Sequence, residues 1–148
     1  MIRAIAAVLS LVLPLFLCAE SKASDSGTGP SFSLVYMPAS VHHTGRDDYN
    51  EKQNGWGIAG EWEGNGNNYS MVAMRYKNSH FEMSTLVGFS RHDPCLKWFS
   101  CSYGIIGATG YDIATVTVAP VIGIGFDWIH VVHVPLTVTT VMFKLAEF

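Results

Sequence analysis

The chain has 148 residues, enough for one domain, and its 9 basic and 12 acidic side chains give a formal net charge of −3. No basic stripe is present, which argues against nucleic acid as a partner. Charged residues make up only 14 % of the chain against 49 % hydrophobic residues, so little polar material is available to cover a soluble exterior.

The start of the chain is predicted to be a secretory signal peptide. A short basic segment precedes an apolar run over 4–19, and Ser21 and Ala23 are the small residues expected before a cleavage site. The apolar run is short for a membrane-spanning helix. The predicted organisation is a signal peptide over 1–23, a flexible polar lead-in over 24–30 and a folded domain over 31–148.

The folded domain is predicted to consist almost entirely of β-strands. Eight runs rich in Val, Ile, Thr, Tyr and Phe are separated by turn residues such as Asn-Ser, Asp-Pro and Phe-Asp. The longest polar connection, over 45–53, follows the first run. The runs cover 31–44, 54–64, 68–79, 81–92, 100–111, 115–126, 128–136 and 138–148.

Most runs alternate between a face of large apolar residues and a face of small or polar residues. In the sixth run, Val118, Ile122 and Phe126 oppose Thr117 and Gly123. A soluble sandwich puts its large apolar side chains inside, whereas a membrane barrel turns an apolar belt toward lipid. Runs of about 9 to 12 residues also suit tilted spanning strands. The sequence therefore predicts an all-β, eight-stranded antiparallel up-and-down β-barrel in the cell outer membrane. A soluble periplasmic barrel is the alternative.

Two cysteines, Cys95 and Cys101, remain after the predicted cleavage. Export places them where disulfides form and persist. A metal or redox pair is the alternative, but no second cysteine pair accompanies them. We therefore predict a structural disulfide, on the rim of the barrel that carries the even-numbered connections.

The opposite rim is predicted to bring an imidazole and a hydroxyl together. His42 and His43 close the first run, and Asn78 and Ser79 form the third connection. Odd-numbered connections of an up-and-down barrel share a rim. Ser79 as a nucleophile needs a base within about 3 Å, for which His43 is the candidate. The alternative interpretation is an ordinary Asn-Ser hairpin turn.

Several of these motifs resemble the lipid A palmitoyltransferases of Gram-negative outer membranes. That family has a His ending the first strand, a Tyr-Asn-Glu segment, a Gly-rich strand, an Ala-Met strand ending in Lys-Asp-Ser and a strand ending in Gly-aromatic. The matching residues are His42 or His43, Tyr49-Asn50-Glu51, Gly55-Trp56-Gly57, Ala73-Met74, Lys77-Asn78-Ser79 and Gly88-Phe89. Pro120 and Pro135 lie where the family has prolines that open lateral gaps to lipid. The resemblance covers about 36–148 and weakens after residue 92.

The resemblance implies an acyltransferase that holds one phospholipid acyl chain inside the barrel and moves it to lipid A or a related acceptor. By position, His43 (or His42), Asn78 and Ser79 would be the catalytic residues. Gly88 and Ser90 would lie near the floor of the acyl-chain pocket. No metal or other cofactor is implied. The implied partners are phospholipid, lipid A and the outer membrane, with a monomer as the expected state.

One departure from the family keeps a second hypothesis open. Asn78 stands where the family has Asp, and an amide cannot stabilise an imidazolium by charge. Asp47 or Asp48 on the same rim could supply that carboxylate. If the protein is an enzyme, His43 would act as general base, Ser79 or the acceptor hydroxyl would attack the ester, and Asn78 would stabilise the oxyanion. The alternative is a non-catalytic barrel that binds lipid or alters the cell surface.

Overall fold

The computed structural model describes residues 29–43, 49–111 and 116–148, which form one closed β-barrel. Each strand pairs antiparallel with the next in sequence, and the last pairs with the first, which confirms the eight-stranded up-and-down fold. The strands are β1 (Ser31–His42), β2 (Lys52–Gly64), β3 (Asn67–Lys77), β4 (Met83–Leu96), β5 (Phe99–Ala108), β6 (Thr117–Phe126), β7 (Ile129–Val134) and β8 (Val138–Glu147).

Two predictions from the sequence concern residues outside the described part of the chain. The predicted signal peptide over 1–23 lies there entirely, and so do the carboxylates Asp47 and Asp48. Within the described residues, no helix is long and apolar enough to cross a membrane.

A turn at Asp93-Pro94 was predicted between the fourth and fifth runs, and this prediction was wrong. β4 continues past this point, so that Asp93 pairs with Cys101 and Pro94 with Ser100. The hydrogen-bond ladder becomes irregular directly after Pro94. Proline is tolerated at such a bulge because no regular backbone N–H donor is needed there. The turn lies over residues 97–98 instead, and a disulfide between Cys95 and Cys101, with a Cα–Cα distance of 5.5 Å, closes it.

β1 contains a bulge at Pro38 that changes which side chains face the barrel interior. Along β8, Tyr36 pairs with Phe143 and Ala39 with Val141, so three residue steps on β1 match only two on β8. Before the bulge, Met37 is buried, and after it Ser40 is buried at 4 % exposure. A bulge inserts one extra residue and so shifts the inward positions from odd to even numbers. The end of β1 therefore turns His42 inward and His43 outward.

The outer face of the barrel is rich in large apolar side chains, as the alternation in the sequence predicts. Trp56 and Ile58 on β2 are 51 % and 53 % exposed, and Val118 on β6 is 67 % exposed. The inward positions between them hold small residues, for example Gly57 and Gly123. Other exposed apolar side chains on the strands are Leu34, Met83, Phe89, Tyr103, Ile105, Ile122, Ile124, Phe126 and Leu145.

The barrel interior has an apolar half and a polar half. The half toward the rim with the odd-numbered connections encloses a cavity whose exposed wall surface is mostly apolar, with Met, Val, Leu and Ile side chains among its lining residues. In the other half, the Ser70 hydroxyl lies 2.9 Å from that of Ser90 and 2.7 Å from His92 Nε2. Lys144 donates to Glu61 at 3.2 Å in the same half. The two halves therefore offer different environments, one for hydrocarbon and one for hydrogen bonding.

The ladder between β6 and β7 is incomplete. β7 pairs with β6 only from Ile122 to Phe126. Residues 117–121 of β6 pair with β5, but they have no β7 partner among the described residues. Pro120 lies in this stretch, and Pro135 directly follows the last residue of β7. The barrel wall is thus open on this side, at the end that carries the apolar half of the interior.

Candidate active site

A His–Ser pair lies on the rim formed by the odd-numbered connections. His42 Nε2 and Ser79 Oγ share a hydrogen bond of 2.6 Å. His42 is the last residue of β1, and Ser79 belongs to the loop between β3 and β4. Ser79 is only 6 % exposed. The prediction that the first and third connections bring an imidazole to this hydroxyl is therefore confirmed.

His43 is not the partner of Ser79, and the expectation that it would be was wrong. Its Nε2 lies 2.7 Å from Thr139 Oγ1, and Nδ1 of His133 lies 2.9 Å from the same hydroxyl. The two imidazole rings are 5.5 Å apart. The bulge at Pro38 is the physical reason, since it turns His43 away from the interior.

Asn50 fastens the first connection to the loop that carries Ser79. Its backbone N–H donates to the Ser79 carbonyl at 2.9 Å. Its side-chain amide donates to the carbonyls of Asn78 at 3.1 Å and Lys77 at 3.3 Å. Gln53 donates in turn to the Asn50 carbonyl at 3.1 Å and to the Ser40 hydroxyl at 2.7 Å. The hydrogen bonds of the Tyr49-Asn50-Glu51 segment therefore hold Ser79 in position relative to His42.

Asn78 organises the loop from inside and has no contact with His42. Its Oδ1 accepts the backbone N–H groups of His80 and Glu82, both at 2.9 Å. Its Nδ2 donates to the Gly110 carbonyl at 2.6 Å and to Ser84 Oγ at 2.9 Å. The side chain is fully buried and both of its amide hydrogens are used. Asn78 was expected to donate a hydrogen bond to an oxyanion, but neither of its amide hydrogens is free to do so.

This geometry predicts that Asn78→Asp, which restores the family's residue, destabilises the barrel. A carboxylate would face the Gly110 carbonyl without a hydrogen to donate, so we expect a loss of about 1–3 kcal/mol. Urea unfolding of the purified protein measures it. Asn68→Asp is the matched control, because Asn68 is exposed and its side chain has no hydrogen-bond partner among the described residues. Equal stability of the two variants would contradict this role of Asn78.

The surroundings of His42 favour the neutral form of its imidazole. The ring stacks on Tyr49 at 4.5 Å. His42 lies beyond the Ala39–Lys52 pair, on the rim and outside the apolar belt. Burial lowers the pKa of His42, while the nearby Glu51 carboxylate acts in the opposite direction. Nδ1 of His42 is buried and has no hydrogen-bond partner among the described residues. A neutral imidazole can accept a proton, which is what a general base must do.

The His–Ser pair lies at the mouth of a cavity of about 360 Å³ inside the barrel. His42, Ser79, Tyr49, His80 and Tyr111 surround the mouth. The walls below are apolar and include Met37, Val72, Leu86, Ile106, Val132 and Met142. A volume of this size with apolar walls and few polar groups at one end is typical of a site for a small apolar ligand.

Gly88 and Ser90 lie at two different levels below the mouth. Gly88 pairs with the cavity-lining residues Val72 and Ile106, and a Cβ added to it would lie 3.0 Å and 3.1 Å from their side chains. Gly88 itself does not line the cavity, but it lies between two side chains that do. Ser90 belongs to the polar half, where its hydroxyl lies 2.9 Å from that of Ser70. Ser90 thus underlies the cavity floor and is absent from the wall.

The sequence did not single out Gln53, Tyr76 or Tyr111 as site residues. Tyr76 and Tyr111 share a hydroxyl–hydroxyl hydrogen bond of 2.9 Å at the cavity mouth. The position of Tyr76 just before the Lys-Asn-Ser loop could have identified it as a site residue. Tyr111 lies on a connection that has no recognisable motif, so the sequence offered no such indication for it. Within the described ranges, no group of three or more His, Cys, Asp or Glu side chains is placed to hold a metal ion.

Comparison with known proteins leaves the family open: no protein-family model matches the chain, and no curated protein matches it.

Proposed function

We propose that this protein is an outer-membrane acyltransferase that moves an acyl chain from a phospholipid to lipid A or a related acceptor. The observation that carries the proposal is the 2.6 Å His42–Ser79 pair at the mouth of an apolar cavity inside a closed barrel. The pair supplies a base and a hydroxyl, and the cavity offers a dry space for one hydrocarbon chain. The resemblance of the rim motifs to lipid A palmitoyltransferases supports the same reaction.

The proposed reaction breaks the ester bond between the acyl group and the glycerol oxygen of the phospholipid. His42 takes the proton from the attacking hydroxyl, which adds to the ester carbonyl, and the lysophospholipid oxygen leaves with a proton. The attacking hydroxyl is either that of Ser79, through an acyl-enzyme, or that of the acceptor itself. In both routes the acyl chain ends as an ester of the acceptor, and no oxidant or reductant is needed.

Two features of the barrel support a lipid environment for this reaction. The apolar outer face suits contact with acyl chains, as in membrane barrels. The open stretch between β6 and β7 lies beside Thr117 and Val134, which line the cavity. A lipid chain could pass through this side opening directly from the membrane. The expected location is therefore the outer membrane, with the proposed site on its outer surface.

Lipid A from cells that express the protein tests the proposal. With the wild-type chain, we expect a species whose mass has increased by one acyl group, and we expect Ser79→Ala to remove at least about 99 % of it, since such groups contribute about 10²- to 10⁴-fold to the rate. Mass spectrometry of extracted lipid A is the measurement. Outer-membrane fractionation and folded-state gel mobility must be equal for both proteins. Unmodified lipid A beside correctly folded wild-type protein would refute this transfer.

A non-catalytic lipid-binding barrel is the second candidate, and one observation favours it. Nδ1 of His42 has no carboxylate partner among the described residues, whereas a catalytic imidazole usually has an orienting group on its second nitrogen. If this candidate is right, the purified barrel binds one phospholipid per chain, and Ser79→Ala leaves both lipid A and binding unchanged.

A further inference from the structure

We propose that the cavity selects acyl chains that carry a hydroxyl group close to their ester end, and that Ser40 and Gln53 bind this hydroxyl. The proposal names the substrate class of the proposed function and rests on that function, although ligand binding alone can test it. Both side chains line the cavity, and they are only 4 % and 3 % exposed.

The orientation of the Gln53 amide is set by a backbone carbonyl. Its Nε2 lies 3.1 Å from the Asn50 oxygen, which can only accept a hydrogen bond, so the nitrogen and not Oε1 must face it. The other Nε2 hydrogen is donated to Ser40 Oγ at 2.7 Å. Oε1 is buried and has no hydrogen-bond partner among the described residues. Gln53 therefore has one unused acceptor.

Ser40 has the complementary unused group. Its oxygen accepts the hydrogen from Gln53, so its own hydroxyl hydrogen must be donated to a different atom. No acceptor for this hydrogen lies among the described residues. The pair thus offers one donor and one acceptor at the wall of a cavity whose exposed surface is mostly apolar.

A single ligand hydroxyl can satisfy both groups. The nitrogen and the oxygen of an amide are about 2.2 Å apart, so Gln53 Oε1 lies at most about 5 Å from Ser40 Oγ. Two O–H···O hydrogen bonds of about 2.8 Å each can span that distance. A hydroxyl accepts one hydrogen bond and donates another, whereas a carbonyl only accepts and a methylene group does neither. The chemistry of the pair therefore fits a hydroxyl.

The position of Ser40 along β1 places this hydroxyl near the ester. Ser40 and His42 both line the cavity, and two residues of a strand span about 6.6 Å. His42 lies at the rim end of β1, so Ser40 lies one inward position deeper. When the ester carbonyl lies at His42 and Ser79, the first carbons of the acyl chain pass Ser40 before the rest of the chain reaches the apolar walls below.

Calorimetry on the purified full-length barrel tests the proposal, with the barrel held in an amphipathic polymer so that no detergent chain competes for the cavity. Wild type should bind β-hydroxymyristate about 10- to 100-fold more tightly than myristate, because the plain chain leaves the Ser40 hydrogen and Gln53 Oε1 buried and unpaired. The isomer with its hydroxyl in mid-chain should bind no more tightly than myristate, since its hydroxyl lies beyond the pair.

The variants separate recognition of the hydroxyl from a structural role. Ser40→Ala should reduce the preference for the hydroxylated chain to within about threefold and bind myristate at least as tightly as wild type, since the unpaired donor is gone. Ser40→Cys, which replaces the hydroxyl with a weak S–H donor, should behave in the same way. Ser33→Ala is the matched control and should keep the wild-type preference. Ser33 is also buried on β1 with an unpartnered hydroxyl, but it does not line the cavity.

Three results would overturn the proposal: equal affinities of wild type for the two acids, no binding of either acid, or an unchanged preference in folded Ser40→Ala. A transfer assay in which phospholipids with either chain compete separates this proposal from the proposed function. If wild type prefers the hydroxylated acid in binding but transfers neither chain, the acyl transfer is refuted and selection by Ser40 and Gln53 stands.

Discussion

Replacing His42 with Asn is expected to lower acyl transfer by about 10²- to 10⁴-fold, the contribution typical of a general base. His42→Asn removes the basic nitrogen at the 2.6 Å contact with Ser79 Oγ but keeps a polar side chain of moderate size. The initial rate of acyl transfer from phospholipid to purified lipid A, in mixed micelles, is the appropriate measurement. The effect should appear in kcat, because the lost nitrogen accepts the proton that is transferred in the transition state.

The neighbouring His43→Asn variant is the control for this prediction. His43 contacts Thr139 and His133 on the outside of the barrel, so the rate should stay within about threefold of wild type. The two variants differ only in which of two consecutive imidazoles is lost. A large loss of activity in His43→Asn with normal activity in His42→Asn would contradict the assignment of the base.

His42, as the proposed general base, is expected to set the pH dependence of acyl transfer. Its pKa is lowered by burial below the ordinary value of 6.5, and the neutral form is the active one. Activity should therefore be constant at neutral pH and fall only as the pH drops through the lowered pKa, below pH 6.5. A kcat/KM profile measured from acid to neutral pH tests this, because kcat/KM reports the pKa values of the free enzyme, and an acidic limb centred above the ordinary value would exclude His42 as the base.

Replacing Gly88 with Leu is expected to change which acyl chain is transferred. The added side chain would start from a Cβ that lies only 3.0 Å from Val72 Cγ1 and 3.1 Å from Ile106 Cγ2, two side chains that line the cavity. It can extend only into the cavity and would block its deep end. The preferred donor chain becomes shorter, and kcat/KM for the original chain falls by about 10- to 200-fold per methylene that no longer fits.

The measurement is competition between phospholipids of different saturated chain lengths, with the products separated by mass spectrometry. Gly107→Leu is the matched control. Gly107 lies between the cavity-lining residues Ile106 and Ala108 and therefore points outward, where an added Cβ meets only Val116 at an ordinary 3.6 Å. If Gly88→Leu folds and keeps the wild-type chain preference, the acyl chain does not reach Gly88.

Much of the fold could be predicted from the sequence because each strand carries its own alternation. β6 is an example, since Val118, Ile122 and Phe126 face outward as the pattern indicates. The placement of the third connection next to the first also follows from strand order alone. These features depend on the two-residue alternation along each strand and on the order of the strands, and both can be taken from the sequence alone.

The identity of the histidine could not be predicted, because one local irregularity decides it. Strict alternation from Val35 through Met37 would turn His43 inward, and the bulge at Pro38 reverses this for the rest of the strand. Proline only suggests where a bulge can occur. The role of Asn78 was equally hidden, since its partner Gly110 is remote in sequence and has no distinctive motif.

The incomplete β6–β7 ladder constrains how the barrel can sit in a bilayer. Along residues 117–121, alternate backbone N–H and C=O groups face the open side, although Pro120 removes one donor. Each such group costs several kcal/mol in hydrocarbon unless water or a lipid headgroup satisfies it. If the barrel spans a membrane, the polar headgroup zone must therefore descend further along β6 than along the fully paired β2–β3 wall. A membrane-spanning barrel of this shape would thin the leaflet on one side, drawing phospholipid headgroups down beside the opening.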